Sequence, residues 1–332
     1  MYRKFIGINR NVRWLAGILI VFGAVYALNR TKVLSDYYIQ LIMLSCINVM
    51  MTVSLNLVNG YTGQFSIGHA GFMAIGAYIS AYITSVLTDS ASFPIIGQYA
   101  VFFAAILASI IAAGVAGFLV GLPCLRVSGD YLAIVTLGFG EVIRAVIRLI
   151  PAVGGARGMT GIPKYSNLWI ILFATLIVII LVRNLVNSAH GRACVSIREN
   201  EIAAGSVGVN AFKTKMMAFV VAAMMAGMAG ALYSHLLCYC QPDLFSMLKS
   251  TDYLVFLYAG GSASITGSIV SAFVLTFLPE VIRFLSTWRM AIYAALLILI
   301  MLFRPNGLCG GKEIPILRCK NYQLKNRQTQ EG

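Results

Sequence analysis

The chain is expected to fold as an all-α polytopic membrane protein, with about ten transmembrane helices and Gly-rich irregular or re-entrant segments. Three observations predict it. Hydrophobic residues make up 59% of the 332 residues and charged residues only 11%, whereas a soluble domain carries about 25% charged residues. Mean hydropathy is +0.84. Apolar runs near the roughly 20 residues that cross a bilayer as a helix recur along the chain, as at 37–58, 98–122, 168–186 and 216–237.

The net charge of +14 would suggest nucleic acid as a partner in a soluble protein. Here the basic residues sort by position instead. Arg3, Lys4, Arg10 and Arg13 precede the first apolar run, and Arg192, Arg198, Lys213 and Lys215 lie in a long loop. Arg304, Lys312, Arg318, Lys320, Lys325 and Arg327 fill the tail. Placing all three groups in the cytoplasm satisfies the positive-inside bias, so no nucleic-acid partner is expected.

The membrane segments are expected at 14–34, 37–58, 65–87, 96–122, 130–150, 168–186, 216–237, 251–265, 268–285 and 288–303. Those before the loop at 187–215 and those after it return both termini to the cytoplasm. Residues 1–332 thus form a single transmembrane domain, with a cytoplasmic loop at 187–215 and a basic cytoplasmic tail at 304–332. The run Trp14–Leu28 follows a basic stretch, as a signal peptide would. No Ala-x-Ala site follows it, and Arg30 and Lys32 come at once, which favours an uncleaved helix in the cell (cytoplasmic or inner) membrane. The eighth segment is interrupted by Gly260-Gly261-Ser262-Ala263-Ser264. Irregular backbone at membrane depth is tolerated only where neighbours or a water-lined cavity satisfy it.

Residues for chemistry are sparse. The Cys238-x-Cys240 pair has neither zinc-finger nor redox spacing, and His69, His190 and His235 are too scattered for a metal site. No Gly-x4-Gly-Lys-[Ser/Thr] loop is present. Gly138-Phe-Gly140 lacks a third glycine, and Gly154-Gly155-Ala156-Arg157-Gly158 sits in an outer loop without the strand and helix a phosphate cradle needs. No catalytic residue, metal or cofactor is expected in this chain.

Polar residues inside apolar runs mark the candidate translocation path. The stretch Gly60–Tyr78 is dense in small residues, which allow helix backbones to approach closely, as do Gly117–Gly121 and Ala223–Gly227. Within it Gln64, Ser66 and His69, flanked by Gly63 and Gly68, each need a partner or water, so a bend beside the permeation path is expected. The fifth segment opens Ser128-Gly129-Asp130, a helix start where Ser or Asp can cap free N–H groups. It carries Thr136 and then Glu141, Arg144 and Arg148 on one face at i, i+3 and i+7. An ionisable group at mid-membrane costs about 2.5–3.5 kcal/mol on insertion scales. Glu141 is therefore either a proton or substrate site or part of an interfacial ion pair, and the two arginines favour the pair.

The loop NSAHGRACVSIRENEIAAGSVGVNAFKTK (Asn187–Lys215) is polar and helix-prone between strongly apolar stretches. A charged helix with Ile197 and Ile202 on its apolar side suits a groove on a soluble partner. Arg192 to Ala204 is expected to be that docking helix.

The residues Gly191–Tyr233 resemble the ATPase-contacting loop and next helix of branched-chain amino acid ABC transporter permeases, LivM type. NLVNGYTGQFSIGHAGFMAIGAY (Asn56–Tyr78), GDYLAIVTLGFGEVIR (Gly129–Arg144) and MLFRPNGL (Met301–Leu308) agree, in the family's order. The resemblance implies a non-catalytic membrane subunit that pairs with a homologous permease. Two cytoplasmic ABC ATPase subunits, which carry the ATP-Mg, would drive the pair. An extracytoplasmic substrate-binding protein would deliver the small amino-acid substrate, Leu, Ile or Val. Arg192, Ile197, Arg198, Glu199, Asn200, Glu201, Ala203 and Ala204 match the ATPase-coupling part.

Two departures stand out. The family's Glu-Ala after the paired alanines is Gly205-Ser206 here, and glycine weakens a helix by roughly 1 kcal/mol against alanine, so the coupling helix is expected to end early. The family's Gly-Gly-Leu-Gly-Ser is Gly260-Gly261-Ser262-Ala263-Ser264, which is expected to loosen the last backbone contact. Two other functions remain open: a related ABC permease for urea or short amides, and an ion-coupled secondary transporter using Glu141.

Overall fold

The structure, a computed structural model, describes residues 35–90, 95–127, 129 and 131–283, with scattered positions between 292 and 308. The expected first segment at 14–34 lies outside the described residues, as do most of the last segment at 288–303 and nearly all of the tail at 304–332.

Ten helices follow in the described chain. They are α1 (Asp36–Asn56), α2 (His69–Ser90), α3 (Ile95–Cys124), α4 (Tyr131–Leu149), α5 (Leu168–Asn187), α6 (Ala189–Glu199), α7 (Glu201–Ser206), α8 (Ala211–Leu237), α9 (Met247–Gly260) and α10 (Ile265–Val281). A π-helical turn, Leu57–Tyr61, prolongs α1. Among the described residues, five stretches are long and apolar enough to cross a membrane: Asp36–Tyr61, His69–Leu87, Gly97–Cys124, Leu168–Asn187 and Ala211–Leu237. The expected segments at 130–150, 251–265 and 268–285 are helical too, but fall short of that standard. α4 carries Glu141, Arg144 and Arg148, while α9 has 14 residues and α10 has 17.

The core is built where small residues let backbones meet. A Cβ placed on Gly76 of α2 would lie 2.0 Å from the Gly227 carbonyl oxygen of α8. Ser109 of α3 donates to the Gly76 carbonyl at 2.9 Å, tying the third helix to the same crossing. With lipid on the outside, such close packing and the added hydrogen bond hold the helices together, because no hydrophobic gain distinguishes neighbour from lipid. The expected small-residue faces at Gly117 and Ala223 also meet, with a Gly117 Cβ placed 2.6 Å from that of Ala223.

The Gly260–Ser264 break separates α9 from α10 and is satisfied by side chains. Asn56 accepts from Ala263 N at 2.9 Å and donates to Ser264 O at 3.0 Å and to Ser268 Oγ at 2.9 Å. Leu308 N donates to Ala259 O at 2.7 Å, so the end of the MLFRPNGL block seals the break. The departure at Ala263 therefore leaves a tight contact rather than a loose one, although Ala263 sits at φ 59, in the left-handed region.

Two ends result. One gathers the 57–68 turn, the α3–α4 connection, α6–α7 and the 260–264 break. The other gathers the C-terminus of α4 and a short antiparallel pair of β1 (Met159–Thr160) and β2 (Tyr239–Cys240). The Gly154–Gly158 cluster lies in that second end, as two short 3-10 turns rather than a strand and helix.

Candidate functional site

The site starts from a break in the helical ladder. After the π turn the chain runs without helix from Thr62 to Gly68 before α2 begins. Its backbone groups find side-chain partners instead. Asn59 donates to Ser66 O at 3.1 Å and accepts from Ser66 N at 3.2 Å. Thr136 of α4 accepts from Ile67 N at 3.1 Å, and Ser250 of α9 accepts from Ala70 N, also at 3.1 Å. Ser54 Oγ and His69 Nε2 share a hydrogen bond of 2.7 Å. Gly68 lets this segment touch α4, since a Cβ there would lie 2.2 Å from Thr136 O. The bend expected from sequence is present, held by four neighbouring segments.

These contacts divide the path candidates. His69 and Thr136 hold the bend. Gln64 is different: its side chain is buried, at 4% exposure, and neither amide atom has a partner among the described residues. The buried Ser66 hydroxyl is likewise unpartnered among them. A buried unpaired amide costs about 1–3 kcal/mol, so water or a solute is the natural complement. Glu141 lies further along α4, toward the other end, where it pairs with Arg144 at 2.5 Å and accepts from Met247 N at 3.1 Å. Arg148 pairs with Asp243 rather than with Glu141. Seven residues of helix rise about 10 Å, too far for a direct bond, and the Pro242–Phe245 turn brings Asp243 close instead.

The segment expected as one docking helix is two. Asn200 leaves helical geometry, with φ −160 and ψ 110, and its side chain caps α7 by accepting from Ala203 N at 2.9 Å. Asparagine is among the best N-cap residues because its short side chain reaches the free N–H groups. Ser188 caps α6 and Asn210 caps α8 in the same way. α7 includes Gly205 and ends at Ser206, and Gly208 then turns the chain at φ 87.

The expected apolar side is also split between the two helices. Ile197 of α6 is 5% exposed and packs inward, while Ile202 of α7 is 84% exposed and Val207 is 79% exposed. The reason is the kink at Asn200 together with the seat of α6. Arg198 donates to Gly60 O at 3.0 Å, and its stem fills the space beside Gly63, where a Cβ would meet Arg198 Cγ at 2.7 Å. Gly63 has φ 74, so the turn needs glycine twice over. Arg198 also pairs with Glu199 at 2.6 Å and Lys215 with Glu201 at 2.7 Å. Arg192 reaches Asn187 O, at 3.4 Å. Ala204 is buried and Ala203 exposed.

Residues expected from sequence for coupling and for the path, separate along the chain, therefore meet. A cleft of about 240 Å³ lies between the Thr62–Phe65 turn, Leu125 and Leu132 at the α3–α4 connection, and Ile197, Arg198, Glu201 and Lys215. Sequence reasoning missed Asn56, Asn59 and Lys215 as parts of this construction. The signal for the first two was present, as asparagines inside an apolar run.

Comparison with known proteins agrees with this architecture. The family model described as branched-chain amino acid transport system, permease component, matches residues 37–302. The permease protein LivM of the high-affinity branched-chain amino acid transport system of Escherichia coli is 31% identical over 88% of this chain and 74% of its own length. A probable branched-chain amino acid transport permease protein LivM of Methanocaldococcus jannaschii is 24% identical over 84% of this chain and 95% of its own length. LivH of Salmonella typhimurium is 24% identical over 80% and 92% respectively. No solved structure matches. With helices of spanning length, buried glycine crossings and a match over most of its length, this chain belongs to the branched-chain amino acid transport system permease family and is a multi-pass helical membrane protein.

Proposed function

We propose that the chain is the membrane-spanning subunit of an ATP-driven importer that carries branched-chain amino acids across the cell membrane. It pairs with a homologous permease, receives solute from an extracytoplasmic binding protein, and is driven by two cytoplasmic ABC ATPases that hold ATP-Mg. The end bearing α6 and α7 faces the cytoplasm, as do both termini and the 304–332 tail. Adding one segment before α1 and one after α10 to the eight longer helices gives about ten crossings. The names of the relatives support the substrate class.

The carrying observation is α6–α7 itself. It is capped at Ser188 and Asn200, clamped to Gly60 by Arg198, and presents Ile202 and Val207 outward with Glu199 and Glu201. An exposed apolar pair rimmed by charges on a fixed short helix is a surface for a soluble groove. The test is uptake of leucine by proteoliposomes containing the whole complex. Uptake that needs ATP at the ATPase face and survives an uncoupler is expected. Uptake by this chain alone on a pH step would replace the reading with an ion-coupled carrier. Preference for urea over leucine would replace only the substrate.

A further inference from the structure

The cleft beneath α7 has the chemistry of a ligand site. Its polar side carries Arg198, Lys215 and Glu201, two cations and one carboxylate, and Gln64 lines it, its amide buried in the wall with both ends unpartnered among the described residues. Its apolar side is formed by Phe65, Leu125, Leu132 and Ile197. At about 240 Å³ it has room for several waters or for one amino acid. Few solutes match all three features. A free anion finds Glu201 opposed to it, and a free cation finds Arg198 and Lys215. A zwitterion with an apolar side chain satisfies every group.

The geometry points to a second amino-acid site, in which a free apolar α-amino acid on the cytoplasmic side binds this cleft and slows transport. The solute's carboxylate accepts from Lys215 and from the Gln64 amide nitrogen. Its ammonium donates to Glu201 and to the Gln64 amide oxygen, and its side chain lies against Ile197 and Leu132. The Lys215–Glu201 pair, 2.7 Å apart, opens to admit it without leaving either charge unpaired. Gln64 stands on the turn after α1, Glu201 on α7, and Lys215 at the start of α8. A ligand bridging them fixes α7 against the turn that Arg198 already grips. A conformation so held resists the movement that coupling requires, because a ligand shifts an equilibrium by its differential affinity for the two states. Accumulated product would then restrain its own import. This rests on the cytoplasmic placement and the transport function proposed above.

The test uses the whole complex, without its binding protein, in detergent, and tritiated L-leucine as the probe. Saturable binding is expected, weakened about tenfold in Gln64→Leu and in Lys215→Met, as loss of a hydrogen bond to a charged group implies. Isovalerate, lacking the ammonium, and isoamylamine, lacking the carboxylate, should compete poorly. In proteoliposomes, leucine trapped on the α6–α7 side should lower initial uptake, each variant being compared with its own uptake in the absence of trapped leucine. Both variants should relieve that inhibition. Absence of binding, binding unchanged in both variants, or equal competition by isovalerate would overturn the site. If uptake itself is absent, the transport reading has failed, and the detergent measurement still decides the site.

Discussion

Arg198 closes onto the carbonyl of Gly60 at 3.0 Å, and Gly63 leaves bare the space that the Arg198 stem occupies. One side chain thereby connects the surface helix α6 to the break between α1 and α2. Through this contact α6 is joined to the segment bearing Gln64 and Ser66, which follows directly on Gly63.

Replacing Arg198 by methionine keeps the stem and removes the guanidinium. A hydrogen bond to a charged group contributes about 1.5–3 kcal/mol, so uptake should fall by at least about tenfold. The ATPases should still co-purify, because Arg198 points inward and Ile202 outward. Uptake at the wild-type rate would show that the clamp does not transmit motion.

Ala263→Gly should stabilise the protein. Alanine at φ 59 sits in a region that costs an L-residue roughly 1–2 kcal/mol, while added freedom in the unfolded chain returns about 0.4–1 kcal/mol of that. The net gain is about 0.5–1 kcal/mol, read as a higher unfolding temperature in detergent. Asn56→Ala should act oppositely and more strongly, since it removes three hydrogen bonds from the same buried break. A lower unfolding temperature for Ala263→Gly would contradict the strain argument.

Gly227→Val should prevent assembly of the bundle, because a Cβ there would lie 2.4 Å from the Ala113 Cβ and 2.8 Å from Ser109 O. Gly138→Ala is the control, as nothing lies within 4 Å of a Cβ at that position. The first variant should be lost from the membrane fraction and the second retained at wild-type level. Equal recovery of both would refute the close crossing.

Much of this was legible in the residues. Glycines spaced through Gly60–Tyr78 and Ala223–Gly227 announced close crossings, and Glu141 with Arg144 at i+3 announced an ion pair. Caps at Ser188 and Asn210 follow from residue type. The kink at Asn200 was hidden because asparagine tolerates either a helix interior or a cap, and only the seating of Ile197 decides between them. Arg148 could not be assigned to Asp243 from sequence, since a partner 95 positions away is set by packing. Nor could helical periodicity foresee that Arg198 would turn inward: charged residues on a polar loop read as solvent-facing until the Gly63 gap is known.

Topology has its own test. Ser206 is exposed at the end of α7, so Ser206→Cys, as the single cysteine in an otherwise cysteine-free chain, should react with a membrane-impermeant thiol reagent only in inside-out vesicles. Labelling of the Ser206→Cys variant from outside intact, wall-stripped cells, with none in the parent protein, would reverse the proposed orientation.

The proposed transport cycle requires α7 to seat in an ATPase. Charge reversal at Glu199 and Glu201 tests it poorly, since both already pair within the chain, with Arg198 and Lys215. Ile202 is cleaner, because at 84% exposure it contributes little to its own fold. The decisive measurement is recovery of the ATPase with Ile202→Glu permease in detergent, beside the permease level in the membrane. The permease level should be unchanged and ATPase recovery reduced at least about tenfold, as expected for an apolar anchor at an interface centre. Full ATPase recovery with Ile202→Glu would contradict the docking of α7.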